Sequence, residues 1–103
     1  MNAKELKKWL EEHDWNISID KDGSASIERW TNDGVHMVTT LDPFTLIEYA
    51  YYVDSIDPNE EVLMLWRTDK MYQQVMGNLA DAYNDIASFK QMLMDELDEL
   101  SVS

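Results

Sequence analysis

A chain of 103 residues with 45 % apolar and 11 % aromatic side chains can build one domain around a small core, and it is too rich in Trp and Tyr to be a disordered acidic tail. Its 21 acidic against 8 basic side chains leave a net charge of −13, so nucleic acid and anionic lipid surfaces would repel it. There is no cysteine, which excludes disulfides and thiolate metal sites and suits a reducing cytosol. No apolar run reaches bilayer length, and the first residues lack the apolar core of a signal peptide.

Asn2-Ala3-Lys4-Glu5 reads as a loose capping box, with Asn2 as N-cap and Glu5 reaching back. Leu6, Trp9, Leu10 and His13 follow at helical spacing, which predicts a short helix over 3–13. Trp15, Ile17 and Ile19 then alternate with polar residues up to Lys21-Asp22-Gly23, a strong hairpin signal. The return strand is Ser24 to Trp30, Asn32-Asp33-Gly34 makes a second turn, and Val35 to Leu41 is a third, β-branched strand. Residues 15–41 therefore predict a three-stranded antiparallel meander, with the first helix over one face.

Asp42-Pro43 opens the second half, with Asp as N-cap and Pro at the first helical position. Leu46, Ile47, Ala50 and Val53 mark the apolar face of a helix. Asp57-Pro58-Asn59-Glu60 repeats the start signal, and a short helix through Val62, Leu65 and Trp66 follows. From about Asp69 to Leu100 there is no proline and one glycine, Gly77. Tyr72, Leu79, Ile86, Leu93 and Leu100 recur every seventh residue, with Val75, Met76, Ala82, Tyr83, Phe89 and Leu97 between them. One helix of that span would be about 45 Å long, longer than the globule it belongs to, so part of it must overhang, bend or pair with another chain, and Gly77 is a candidate break. The expected fold is a single α+β domain over 1–103. Residues 1–41 form a helix plus meander; residues 42–103 form an acidic helical part of two short helices and one long C-terminal helix.

Little in this chain suits catalysis. Its two histidines, His13 and His36, lack metal-type spacing. Asp20-Lys21-Asp22-Gly23 resembles a calcium-loop fragment, but the frame puts Ser18 at the first ligand position and Arg29 where a bidentate glutamate belongs. No phosphate-cradling glycine motif or nucleophile elbow occurs. The expectation is a protein that is not an enzyme, with no cofactor and no metal.

The acids remain. Residues 1–40 have eight acidic and five basic side chains; residues 41–103 have thirteen and three. Asp54, Asp57, Glu60 and Glu61 cluster around the second proline. Asp81 and Asp85 are one helical turn apart. Asp95, Glu96, Asp98 and Glu99 crowd a helix C-terminus, where the macrodipole disfavours them. None has an evident local reason. A domain of this length is roughly 33 Å across, and the same length of duplex DNA holds about 19 charges. An excess of 13 is of the same order. The carboxylates could therefore occupy Arg and Lys sites that grip phosphates, or they could simply be a solvated face.

Size, charge and layout resemble small proteins encoded by phages and mobile elements of Firmicutes. The most specific stretch, Asp57-Pro58-Asn59-Glu60-Glu61-Val62-Leu63-Met64-Leu65-Trp66, looks like the D-x-D-E-H-V-x-x-W segment of an acidic phage family, with Glu61 in the place of the histidine. Asp81-Ala82-Tyr83-Asn84-Asp85-Ile86 is similar to that family's later D-A-x-x-I helix. The helix, meander and acidic helical remainder also look like type II-A anti-CRISPR proteins. That resemblance implies a DNA mimic in the cytoplasm of a bacterial host that blocks the DNA-binding or PAM-reading groove of an RNA-guided nuclease. The expected partner is a basic protein surface, contacted by Asp54, Asp57, Glu60, Glu61, Asp81, Asp85, Asp95, Glu96, Asp98 and Glu99, with no nucleic acid and no membrane. The alternative is an assembly protein that forms a homodimer through Tyr72, Leu79, Ile86 and Leu93, its acids serving only to solubilise.

Overall fold

The computed structural model describes residues 1–102. The element order is α1 (Ala3–Glu12), β1 (Asn16–Ile19), β2 (Ala25–Trp30), β3 (His36–Leu41), α2 (Leu46–Ser55), α3 (Pro58–Thr68), α4 (Lys70–Met76) and α5 (Leu79–Val102). This is the expected α+β class. The chain divides into two compact units: Met1–Trp30 with His36–Tyr52, and Thr31–Val35 with the residues from Val53 onward. The boundary thus falls after Tyr52 rather than after Leu41. The turn between β2 and β3 belongs with the helices.

In the first unit, the Asn2 side chain accepts from the Glu5 amide at 2.9 Å and donates to its carboxylate at 3.5 Å. Leu6 and Leu10 form the buried face of α1. The sheet is an antiparallel meander in the order β1-β2-β3. Ile17 pairs with Ile27, Ile27 with Thr39, and Arg29 with Met37. Ala25, Ile27, Arg29, Met37 and Leu41 point inward, whereas Ser26, Trp30 and Val38 point out. At the first hairpin Gly23 takes φ 89°, and Asp22 accepts from the Ser24 amide and hydroxyl at 3.0 and 2.6 Å, which holds its carboxyl below the usual range. Trp15 is buried with Tyr49 edge-on at 6.0 Å and the Arg29 guanidinium 5.7 Å from its ring centre, a cation–π contact inside an apolar setting.

Helix α2 differs from expectation at both its start and its face. It begins at Leu46, and Thr45 rather than Asp42 caps it: the Thr45 hydroxyl accepts from the Glu48 amide at 3.1 Å. Its buried residues are Tyr49 and Val53, while Ile47 is 82 % exposed. The apolar spacing of 46, 47, 50 and 53 fits a helix equally well one step round, and the large ring of Tyr49 takes the inward position.

In the second unit, Asp57 caps α3 by accepting from the Asn59 amide at 3.0 Å. The span from Asp69 to Leu100 is broken at Gly77, the candidate break, into the short α4 and the long C-terminal α5. Asp69 caps α4 by accepting from Met71 and Tyr72 amides at 3.0 and 3.2 Å. Gly77, at φ 81°, ends α4, and its N–H reaches the Gln73 carbonyl at 2.9 Å. Asn78 and Asp81 then exchange hydrogen bonds across the first turn of α5. Helices α3, α4 and α5 pack on one another. Gln73 also donates to the Trp66 carbonyl. At 24 residues α5 is about 36 Å long. Among the described residues no helix is long and apolar enough to cross a membrane.

Candidate binding surface

The helical unit carries the charge. Twelve of its side chains are acidic and three basic, a net of −9, against nine and five in the sheet unit. One of the three bases, Lys90, is committed to backbone: its ammonium donates to the Asp54 and Ile56 carbonyls at 3.2 and 2.7 Å, where α2 ends.

Asp57, Glu60 and Glu61 come together on the first turn of α3, and Asp54 is exposed in the last turn of α2. Glu61 is half-buried. Desolvation pushes its carboxyl up from the ordinary glutamate value, and the charges of Glu60 and Asp57 add to this. Asp57 and Glu60 sit at a helix N-terminus and complement the macrodipole, so these two have a local structural reason, contrary to expectation.

Asp81 and Asp85 border a cleft of about 450 Å³ between the Asn32-Asp33 turn, α4 and α5. Asp81 is exposed, but Asp85 is only 3 % exposed. Its carboxylate accepts from the Thr31 hydroxyl at 2.7 Å and from the Asp33 amide at 3.2 Å. The same Thr31 oxygen accepts from the Val35 amide at 3.0 Å. Burial pushes the Asp85 carboxyl up, and these two donors pull against that. Asp85 is therefore not a surface contact but the anchor of the β2–β3 turn. Sequence reasoning missed Asp33, which the turn delivers to the cleft. No local spacing signals a neighbour 52 residues away.

Asp95, Asp98 and Glu99 are exposed and Glu96 half-buried near the C-terminal end of α5. Asp95 accepts from Gln91 at 3.1 Å. Seventeen residues separate Asp81 from Asp98, about 25 Å along the axis. The acids thus form separate groups rather than one continuous row, and the dipole opposes Asp54 at the end of α2 and Asp98 and Glu99 at the end of α5.

Tyr72, Ile86 and Leu93 are buried, and of the four stripe residues only Leu79 is substantially exposed, at 46 %. A second copy cannot reach three of the four residues expected to form a homodimer contact, because they already lie inside the fold. The Tyr72 hydroxyl donates to the Ala82 carbonyl at 3.2 Å, and burial, then the charges of Asp85 and Asp33, push its pKa up to about 12.

The histidines are tied locally. His13 stacks on Trp9 at 3.7 Å and its Nδ1 bonds the Trp9 carbonyl at 2.8 Å. His36 stacks on Trp30 at 4.8 Å and its Nε2 meets Glu28 at 2.9 Å. Among the described residues no three His, Asp or Glu side chains gather in a metal-holding group. No protein-family model, curated protein or solved structure matches this chain.

Proposed function

We propose that the protein is a non-enzymatic binding inhibitor that presents the carboxylates of its helical unit to a basic, phosphate-gripping surface. The target implied by the resemblance of the sequence is a type II CRISPR RNA-guided nuclease, met in the cytoplasm of a bacterial host. One observation carries the reading. Asp98 and Glu99 stand exposed at the C-terminal end of α5, where a carboxylate is disfavoured by a few tenths of a kcal/mol. Acids held at a local cost, in a unit already at −9, are accounted for by a cationic partner. Nucleases of this class read the PAM through paired arginines and hold backbone through Lys and Arg, groups that exposed carboxylates pair with directly.

The test is competition. A type II nuclease with its guide RNA is incubated with the protein and then with target duplex at 50 and 300 mM salt. Loss of DNA binding at low salt that recovers at high salt supports the proposal. Charge reversal at Asp95, Asp98 and Glu99, and separately at Glu60 and Asp81, should then restore DNA binding in steps. Asp85 is left intact because it is structural. Retention of full inhibition by the combined reversal would sink the reading.

A further inference from the structure

On the helical unit an apolar groove of about 370 Å³ runs between α3 and the start of α5. Leu63 from α3 and Leu79 and Tyr83 from α5 line it, and they are 47 %, 46 % and 40 % exposed. Three large, partly exposed apolar side chains from two helices meet along this groove. Asn84 borders this groove and also the acidic cleft of Asp33 and Asp81. The two hollows therefore lie side by side on α5, within about one helix diameter, roughly 10 Å.

Resting on the basic-partner reading above, we propose that this pair of hollows is the docking surface. The groove takes an apolar side chain of a partner protein segment, and the cleft takes an adjacent arginine or lysine of the same segment. Charge selects this occupant over a second copy of the chain. A second copy would bring another unit of net charge −9 against the first, and like-charge juxtaposition is repulsive. A cationic segment instead neutralises Asp33 and Asp81 while its apolar neighbour buries Leu63, Leu79 and Tyr83. A desolvated apolar anchor ringed by polar contacts is the arrangement in which a few residues dominate binding. The partner is thus read by apolar shape as well as by charge, which a phosphodiester strand does not offer.

The experiment uses the full-length, ¹⁵N-labelled chain and two synthetic peptides of equal length and charge, an arginine–leucine repeat and an arginine–glycine repeat. The leucine peptide is expected to bind about tenfold tighter or more, shifting the amides of Leu63, Leu79, Tyr83 and Asn84. Tyr83→Ser and, as a second variant, Leu63→Ser should each remove that advantage, with the far-ultraviolet spectrum unchanged. Equal binding of the two peptides, or a leucine advantage that survives in both variants, overturns the groove assignment. So does a chain that sediments as a dimer dispersed by Tyr83→Ser. Equal binding with a steep salt dependence overturns the groove alone and leaves the basic-partner reading standing. Failure of both peptides to bind at low salt overturns the two together.

Discussion

The Thr31 hydroxyl donates to the Asp85 carboxylate at 2.7 Å across 54 residues of sequence. Both groups are buried, so each must find its partner inside the fold. The bond ties the turn between β2 and β3 to the middle of α5. With the Asp33 amide at 3.2 Å, it converts one of the 21 acids from a surface charge into a structural pin.

Removing one partner of this network leaves the others buried and unsatisfied. Thr31→Val and Asp85→Ala are each expected to destabilise by about 1–3 kcal/mol, read by urea unfolding. Asp85→Asn keeps one acceptor and should cost about 1 kcal/mol. The pH dependence has a definite sign. The folded pKa of Asp85 is raised above its ordinary 3.8, so the folded state binds the proton more readily than the unfolded state. The ionised carboxylate therefore costs stability above its folded pKa, and that cost disappears as the pH falls to the unfolded value. The stability advantage of the parent over Asp85→Asn should grow between pH 7 and pH 4. An advantage that shrinks over that range would contradict the assignment.

Tyr72 follows the same logic at high pH. Its pKa is pushed up to about 12 from 10, so the unfolded state loses the proton first and stability falls as the pH rises through that window. In an alkaline titration followed at the tyrosinate band, a late-ionising component should be lost in Tyr72→Phe. That variant also loses the bond to the Ala82 carbonyl, at about 1 kcal/mol.

Gly77 ends α4 at φ 81° with no atom within 4 Å of where a Cβ would stand. The cost of a side chain there is conformational rather than steric crowding. Gly77→Ala is expected to lose about 1 kcal/mol, a fall in Tm of roughly 4–8 °C, and Gly77→Asn as much, since ψ −39° lies outside the left-handed helical region that Asn tolerates. Equal melting temperatures for all three would show that the break does not need glycine.

Much of this architecture is legible in the sequence because its signals are local. Asn2 with Glu5, Asp22-Gly23 and Asp57-Pro58 each act within three or four residues, and the structure uses all of them. The heptad stripe is legible as core at Tyr72, Ile86, Leu93 and Leu100. Leu79 is partly exposed although it shares α5 and the seven-residue spacing with Ile86 and Leu93, because it is the first residue of that helix after the interruption at Gly77. Asp85 could not be read as buried, since the groups that satisfy it lie on a turn more than fifty residues earlier. The candidate surface was half legible for the same reason. Glu60, Asp81 and Asp98 are exposed acids as expected, but Asp33 and Leu63 join the surface only through packing.

Neutralising the acids at the end of α5 separates stability from binding. Asp98→Asn and Glu99→Gln remove charges that the macrodipole disfavours, so each should stabilise by a few tenths of a kcal/mol while weakening capture by a cationic partner. Opposite movement of Tm and affinity is the expected signature. A joint fall in both would mean that these carboxylates hold the helix end rather than a partner.

The grouping of Thr31–Val35 with the residues after Val53 has a practical corollary for dissection of the molecule. A fragment starting at Val53 would retain every helix from α3 onward yet leave Asp85 stripped of both its donors. Truncation is therefore a poor way to isolate the acidic half. A peptide spanning Thr31–Val35, supplied in trans or grafted ahead of α3, is the minimal complement that such a fragment would require.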